Sequence, residues 1–195
     1  MPKIIGLTGN IACGKSSLAR ILIERGIPVL DSDDVVQELY QDKQVQSEIL
    51  EIFASLDKQK ISKMIFGDDD LAKSRRKELE AILHPRIKHK FNEWLQQNQS
   101  AELVVNVLPL LFEAGLENRY DYIVTVFCDD KVQLHRLQAR NPELSGPEIE
   151  KRIKSQMPQT EKIKRADYLI ENNQGLEELK QGLNGVLEQI RLVRN

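Results

Sequence analysis

Several features that mark other protein classes are scarce in this sequence. Only two cysteines occur among its 195 residues, Cys13 and Cys128, and neither belongs to a metal-binding or redox motif. This excludes a small domain stabilised by several disulfides and favours a reducing, cytoplasmic location. No segment of low complexity and no internal repeat occurs, and with 41% hydrophobic and 30% charged residues the composition is that of an ordered globular protein.

Long hydrophobic runs are also missing. No apolar run approaches the ~18 residues that a membrane-spanning helix needs, and the first residues lead into a short apolar strand rather than into a basic and then apolar leader. We therefore expect neither a membrane span nor a signal peptide. The formal net charge is −2, which gives no electrostatic reason to expect a nucleic-acid or membrane-surface partner.

The most informative run extends from Gly9 to Ser16 and reads Gly-Asn-Ile-Ala-Cys-Gly-Lys-Ser, which fits the phosphate-binding pattern G-x-x-x-x-G-K-[ST]. An apolar run precedes it and residues 18–22 have helical spacing, as that pattern requires. The two glycines permit a tight turn with inward-facing N–H groups, and the following helix directs its positive end at the same anion. Lys15 is expected to reach the β- and γ-phosphates and Ser16 to ligate Mg²⁺. We predict a nucleotide site here, rather than a glycine turn before a helix.

Five short runs rich in Val, Ile and Leu predict an α/β fold with a five-stranded, mostly parallel sheet and helices on both faces. These runs are residues 3–7, 27–30, 103–110, 122–128 and 168–171. The interval between the second and third runs has helical spacing only, and the stretch 141–160 is polar and rich in proline and glycine. We predict a nucleotide-binding core at 1–34, 101–140 and 161–195, a helical acceptor domain at 35–100 and a mobile lid at 141–160.

A pair of carboxylates follows the second apolar run, in the sequence Asp31-Ser32-Asp33-Asp34. Ligands of open parallel sheets gather at the carboxyl ends of the strands, and alternate residues of an extended chain face the same way. Asp31 and Asp33 are therefore predicted to face the phosphates. One would hold a water on Mg²⁺ and the other would take a proton from an acceptor hydroxyl. The alternative is that Ser32 or Asp33 only caps the helix that follows.

Other nucleotide-using classes fit less well. A signalling GTPase needs an Asp-x-x-Gly switch and an Asn-Lys-x-Asp base reader, and neither string occurs. Motor-type ATPases place a metal-binding aspartate at the end of an apolar strand, and the run Tyr122–Asp129 resembles that arrangement. A motor-type ATPase is therefore the main alternative at this point.

Basic side chains cluster before and within the predicted lid. Arg136 and Arg140 are four residues apart on a predicted helix and therefore share a face, and Lys151, Arg152 and Lys154 follow in the lid. Phosphoryl transfer spreads negative charge over oxygens, which a closing lid with arginines neutralises while it excludes water. The alternative is an ordinary solvated helix face.

Six segments match, in order, the pattern of one enzyme family. They are Leu7–Ser17, Val29–Asp33, Leu83–Pro85, Pro109–Glu113, Arg152–Pro158 and Ala166–Asn173. In these segments the sequence resembles the dephospho-CoA kinases, which phosphorylate the ribose 3′-hydroxyl of dephospho-CoA with ATP. The resemblance covers nearly the whole chain. It implies a three-layer P-loop kinase core similar to that of nucleoside-monophosphate kinases, with a helical domain that binds the CoA precursor and a lid.

The resemblance also implies roles for individual residues. Asp33 is the expected base at the acceptor hydroxyl, acting with Lys15 and Arg140, and Asp31 supports Mg²⁺ through water. The expected contacts of dephospho-CoA are Thr8, Asp33, His84 and, with a charged strand-end residue as the alternative, Glu113. The residues expected to bind ATP are Asn10, Ile11, Ala12, Cys13, Gly14, Lys15, Ser16, Ser17, Arg140, Asn172 and Asn173. For His84, which precedes a proline, the alternative is a residue that only ends a helix.

The sequence departs from the family pattern in the helical domain. The segment after Phe53 is shorter than in the family, and Lys58 stands where an arginine is usual. We expect these changes to affect the edge of the acceptor domain and not the chemistry. A kinase of another small hydroxyl acceptor, or a nucleotide-binding regulator without turnover, remains an alternative. The expected assembly is a monomer or a small homo-oligomer.

Overall fold

The computed structural model describes residues 1–65 and 69–193. Residues 66–68, in the predicted helical domain, and residues 194–195, in the predicted core, lie outside the described residues. The chain divides into two compact units, one formed by Met1–Val29 with Asn98–Asn195 and the other by Leu30–Gln97. The first contains the phosphate-binding run and the second contains the Asp31–Asp33 segment.

The sheet has five strands in the order β2-β3-β1-β4-β5, and the pairings of β1 with β3, of β1 with β4 and of β4 with β5 are parallel. The strands are β1 (Lys3–Thr8), β2 (Val29–Asp31), β3 (Leu103–Val107), β4 (Tyr122–Phe127) and β5 (Tyr168–Glu171). The predicted fold class is thus confirmed. The third predicted strand is shorter than expected and ends at Val107, two residues before Pro109, whose missing N–H makes it a poor ladder residue.

The described residues also contain nine α-helices and one short 3₁₀ turn at Glu117–Arg119. The helices are α1 (Lys15–Glu24), α2 (Ser32–Leu39), α3 (Lys43–Phe53), α4 (Lys58–Ile65), α5 (Asp70–Gln97), α6 (Asp130–Arg140), α7 (Gly146–Lys154), α8 (Gln159–Arg165) and α9 (Leu176–Leu192).

Alternate residues of the central strand β1 face two different apolar layers. Ile5 and Leu7 pack in the main core, where the buried faces of α1 and α9 meet the sheet. Gly6 faces the other way, and a Cβ at this position would lie 2.6 Å from Leu111 Cδ1 and 2.9 Å from Tyr120 Cγ. The second layer therefore contacts the strand so closely that only glycine fits. Because both faces of the sheet are covered, the sequences of its strands are continuous apolar runs without polar alternation.

The helical unit has its own apolar core, built from one face of each of α2, α3, α4 and α5. Two ion pairs connect α5 to its neighbours: Lys90 Nζ lies 2.6 Å from Glu38 Oε1 of α2, and Arg86 Nη2 lies 2.6 Å from Glu48 Oε1 of α3. Helix α5 continues through Pro85, so the alternative that His84 ends a helix is wrong. Packing on both sides of the proline compensates for the hydrogen bond that it removes.

The predicted lid contains the helix α7. Glu148 Oε2 accepts hydrogen bonds from the Ser145 N–H at 2.9 Å and the Ser145 hydroxyl at 2.6 Å, which fixes the start of this helix. Ile149 is buried and packs against Leu137 of α6 and Ala12. The stretch that the sequence predicts to be a polar flap therefore places one apolar side chain directly on the phosphate-binding run.

Candidate active site

The phosphate loop, Gly9–Ser16, leaves β1 and enters α1. Gly9 has φ 144°, and a Cβ here would lie 2.2 Å from the Val126 carbonyl oxygen. Gly14 has φ 112°, and a Cβ here would lie 2.1 Å from Asn172 Nδ2. Both positions combine a left-handed backbone with a contact too close for a side chain, so each requires glycine. The glycines of the motif are thus explained by neighbours that are distant in the sequence.

The start of α1 suits an anion. Gly14 is the N-cap and supplies no side-chain acceptor, and the first turn of α1 carries no acidic residue. The first N–H groups of a helix need acceptors from outside it, and phosphate oxygens are well suited to supply them. The Lys15 ammonium lies over the loop, where it donates to the carbonyl oxygens of Gly9 at 2.7 Å and Asn10 at 3.1 Å. A cation and a helix N-terminus therefore meet at one short loop.

A cavity of about 130 Å³ opens beside the loop and brings together predicted ATP-binding residues from three parts of the chain. It is lined by Ala12, Gly14, Ser17, Arg136, Arg140, Asn172, Gly175, Leu176 and Leu179. Asn172 Nδ2 donates to the Cys13 carbonyl at 2.7 Å, and Arg136 donates to the Asn172 carbonyl at 2.8 Å. Asn173 is not a lining residue; its Oδ1 atom accepts from the Asp129 N–H at 2.8 Å.

The Asp31–Asp33 segment belongs to the helical unit and contains a helix cap. Asp31 ends β2 and is the N-cap of α2, with its Oδ1 atom accepting from the Asp33 N–H at 2.9 Å. The helix cap is therefore Asp31, and the alternative that assigned the cap to Ser32 or Asp33 is wrong. Asp33 lies in the first turn of α2 and is exposed.

Thr8 contacts the turn that follows β3, and Glu113 belongs to that turn. Thr8 is fully buried, and its hydroxyl lies 3.4 Å from the Pro109 carbonyl oxygen. Glu113 Oε1 accepts from the Met157 N–H at 2.8 Å and pairs with Lys162 Nζ at 2.9 Å. Burial opposes ionisation of Glu113, but these hydrogen bonds outweigh it and lower its pKa below the ordinary value of 4.5. Glu113 is thus held as a carboxylate.

His84 lies on α5 within the helical unit and is exposed. Its two neighbours Ile82 and Leu83 are buried in the core of that unit. The imidazole therefore lies outside that core, although the residues before it anchor the helix.

The two cysteines, which no sequence motif connects, are neighbours in the structure. Cys13 Sγ lies 3.4 Å from Cys128 Sγ and 3.1 Å from Gln159 Oε1. The hydrogen bond with Cys128, together with burial, raises the pKa of the Cys13 thiol. Cys13 is therefore an uncharged, packed part of the loop.

Sequence reasoning assigned no role to three polar residues: Gln133 and Gln156, which contact the loop, and Lys162, which contacts the turn after β3. Gln133 and Lys162 are 2% and 0% exposed, and Lys162 is buried although it follows a run of polar residues. Gln156 lies in the segment Arg152–Pro158, which matches the family pattern, whereas the signal for Gln133 and Lys162 is only their position beside the predicted lid. Neutral glutamines have no spacing that would mark them.

Comparison with known proteins shows the family of this chain. The sequence model of the dephospho-CoA kinase family matches residues 3–178. The chain belongs to the dephospho-CoA kinase family. It is 37% identical to the dephospho-CoA kinase of Oceanobacillus iheyensis, over 97% of this chain and 98% of that protein. It is 36% identical to the dephospho-CoA kinase of Fusobacterium nucleatum, over 90% of this chain and 92% of that protein.

A solved structure of a protein from Thermus thermophilus has the same architecture. It superposes with a TM-score of 0.85 at 36% identity, covering 96% of this chain and 97% of that one. The predicted fold, family and activity, an ATP-dependent dephospho-CoA kinase, are thus confirmed by the comparisons. The motor-type ATPase is excluded as an interpretation.

The family uses ATP and dephospho-CoA, together with a divalent metal ion. In residues 1–65 and 69–193, no three His, Cys, Asp or Glu side chains lie close enough together to hold a metal ion. No helix in this part of the chain is both long enough and apolar enough to cross a membrane.

Proposed function

We propose that this chain transfers the γ-phosphate of ATP to the ribose 3′-hydroxyl of dephospho-CoA and so produces CoA and ADP. The observation that carries the proposal is the phosphate loop with its adjoining cavity. Gly9 and Gly14 permit the close approach, Lys15 lies over the loop, and Arg140 lines the cavity. A loop with this geometry in a dephospho-CoA kinase family member supports phosphoryl transfer from ATP.

ATP is proposed to bind through the loop backbone, with Lys15 and Arg140 neutralising the charge that spreads over the phosphate oxygens. The adenine is proposed to lie beside Arg140 and the Asn172–Asn173 pair. The lining of the cavity by Arg140 and Asn172 supports this placement. Asn173 supports it indirectly, since it holds the Asp129 backbone that begins α6.

Asp33 is the proposed general base. Its carboxylate takes the proton of the 3′-hydroxyl as that oxygen attacks the γ-phosphorus atom, and ADP leaves on the opposite side. The exposure of Asp33 on the first turn of α2 suits a group that must meet a substrate. Thr8 and His84 are proposed contacts of dephospho-CoA. Glu113 is retained as a candidate contact, although its Oε1 atom already accepts two hydrogen bonds.

Mg²⁺ is the proposed metal ion, entering as the ATP complex. The Ser16 hydroxyl is a hard oxygen ligand of the kind that Mg²⁺ prefers, and Asp31 would hold one of its waters. The exposed side chain of Ser16 on the first turn of α1 fits this role. When bound, Mg²⁺ would neutralise charge on the β- and γ-phosphates.

The remaining assignments follow the sequence pattern. Residues 35–100 are proposed as the acceptor domain, 141–160 as the lid, and 1–34, 101–140 and 161–195 as the core. The two free cysteines support a cytoplasmic location. The near-neutral net charge supports the absence of a nucleic-acid partner, and a monomer or small homo-oligomer is the proposed assembly.

Coupled ADP release tests the function directly. The assay compares ATP–Mg²⁺ alone, with dephospho-CoA, and with adenosine or shikimate as control acceptors. The expected result is ADP release that depends on dephospho-CoA. ADP release only with a control acceptor would support kinase activity but show that dephospho-CoA is not the acceptor. No release with any acceptor, from protein that binds ATP, would favour a regulator without turnover.

A further inference from the structure

The backbone of Ile11, in the first turn of the phosphate loop, is held on both sides by glutamine side chains. Gln156 Oε1 accepts the Ile11 N–H at 2.7 Å, and Gln133 Nε2 donates to the Ile11 carbonyl at 2.9 Å. These two residues lie 145 and 122 positions further along the chain. The two amides therefore fix the orientation of both peptide groups of Ile11.

The next residue shows why this matters. Ala12 has φ 64°, a left-handed backbone that residues other than glycine adopt at an energetic cost. Such a conformation persists where neighbours determine it. Ala12 is buried between Leu137 and Ile149, and the peptide group before it is held by Gln133. The strained turn is thus maintained by contacts outside the loop.

Gln156 is itself firmly placed, because the segment that carries it is fixed at two further points. Asn10 Nδ2 donates to the Met157 carbonyl at 3.1 Å. The amide of Gln159 donates to the Cys128 carbonyl at 2.7 Å and accepts from the Cys128 N–H at 3.2 Å. The segment Gln156–Gln159 is therefore bonded both to the loop and to the end of β4.

A buried charge anchors the same segment from the other side. Lys162 is fully buried, and its ammonium donates to the Pro109 carbonyl at 2.7 Å and pairs with Glu113 Oε1 at 2.9 Å. The same oxygen accepts the Met157 N–H at 2.8 Å. A buried ammonium requires such partners, so Lys162 and Glu113 together fix Met157, the neighbour of Gln156.

We propose that Gln133 and Gln156 are positioning residues for the phosphates of ATP, which act by holding the Ile11 backbone and, through it, the Ala12 turn. A loop without these contacts would have to become ordered when the phosphates bind. The entropic cost of that ordering would weaken the binding of ATP. The two glutamines order the loop beforehand. The proposal rests on the proposed function only in taking ATP as the ligand.

The test compares Gln133→Met, Gln156→Met and the double variant with Gln181→Met, an exposed glutamine of α9. Methionine keeps the length of the side chain and removes its hydrogen bonds. Calorimetry gives the Kd for ATP–Mg²⁺ without any acceptor. Each single variant is expected to raise this Kd about fivefold, as the loss of one hydrogen bond predicts. The double variant should raise it by less than the product of the two, because both act on one residue.

Steady-state kinetics and melting temperature separate positioning from general stability. The KM for ATP is expected to rise by a similar factor while the KM for dephospho-CoA stays at the value of Gln181→Met. An unchanged Kd for ATP, with or without a lower melting temperature, would overturn the proposal. A lower Kd in Gln156→Met would also overturn it, since Gln156 would then compete with phosphate for the Ile11 N–H. If wild-type protein binds ATP but does not phosphorylate dephospho-CoA, the proposed acceptor fails and the binding comparison still decides this proposal.

Discussion

The phosphate loop and the Asp31–Asp33 segment are both short segments at the carboxyl end of a strand, but different contacts hold them. The loop is fixed by Gln133, Gln156 and Asn172, which are 122, 145 and 159 positions away from the residues that they bind. The aspartate segment is fixed by a cap across two positions. The loop is therefore held by residues that are distant in the sequence, whereas the cap that starts α2 lies within the three residues of the aspartate segment.

The largest expected effect is on turnover and concerns Asp33 of the aspartate segment. Asp33→Asn should lower kcat about 10³-fold, because an amide cannot take the proton of the acceptor hydroxyl. ATP binding should be largely kept, because Asp33 is proposed to act on the acceptor hydroxyl and not on the phosphates. Coupled ADP release and calorimetry measure both quantities.

Asp34→Asn is the matched control, since Asp34 lies beside Asp33 in the first turn of α2. It should keep wild-type turnover. If Asp33→Asn also kept wild-type turnover, the assignment of the base would be wrong.

The second prediction concerns the distant support of the loop. Glu113→Gln should lower the free energy of unfolding by about 3 kcal/mol, because it leaves the buried Lys162 ammonium without its anion. Urea unfolding measures this loss. The double variant Glu113→Gln/Lys162→Met should recover part of it, and a double variant less stable than Glu113→Gln would contradict the explanation.

The same pair predicts a pH dependence. Because the pKa of Glu113 is lowered from 4.5 in the folded protein, its carboxylate contributes stability at pH values above 4.5. This contribution is lost as the pH falls through the folded pKa. The stability of the wild type should therefore decrease more steeply below pH 4.5 than that of Glu113→Gln. If the stability of the wild type and of Glu113→Gln decreased equally steeply below pH 4.5, Glu113 would not titrate in this way.

The smallest expected effect compares two caps within the helical unit. Asp31 caps α2, and Asp42 caps α3 by accepting from the N–H groups of Gln44 and Val45 at 2.8 and 3.1 Å. Asp31→Ala and Asp42→Ala should each lower the free energy of unfolding by about 1 kcal/mol. Only Asp31→Ala should also raise the Mg²⁺ concentration required for half-maximal turnover. Equal changes in the Mg²⁺ requirement would reject a metal-supporting role for Asp31.

The elements that could be predicted from sequence are those whose signal is local. The phosphate loop is a contiguous motif and the five strands are apolar runs, so the sequence predicts both. The strand β3 ends at Val107, before Pro109, and is shorter than predicted. Helix α5 shows the limit of a local rule. A helix usually ends before a proline. Helix α5 continues past Pro85 because Ile82, Leu83 and Ile87, on both sides of it, pack in one apolar cluster.

The supports of the loop could not be predicted because their signal is tertiary. Lys162 lies in a run of charged residues and is of a type that is rarely buried, yet it is the residue of α8 with no exposure at all. Gln133 and Gln156 are neutral, and what distinguishes them is the backbone atom that they reach. The roles assigned to the other site residues, Asp33 and His84 among them, stay predictions until the variants are measured.

The central position of β1 has a consequence for how the protein is made. This strand is synthesised before the strands that flank it, whose residues paired with β1 are 103–107 and 122–125. At about 5–20 residues per second, the ribosome needs several seconds to reach them. During that time β1 has both edges unpaired and the phosphate loop lacks Gln133, Gln156 and Asn172. The phosphate loop therefore gains its full set of supports only after translation has passed β5 and reached Asn172.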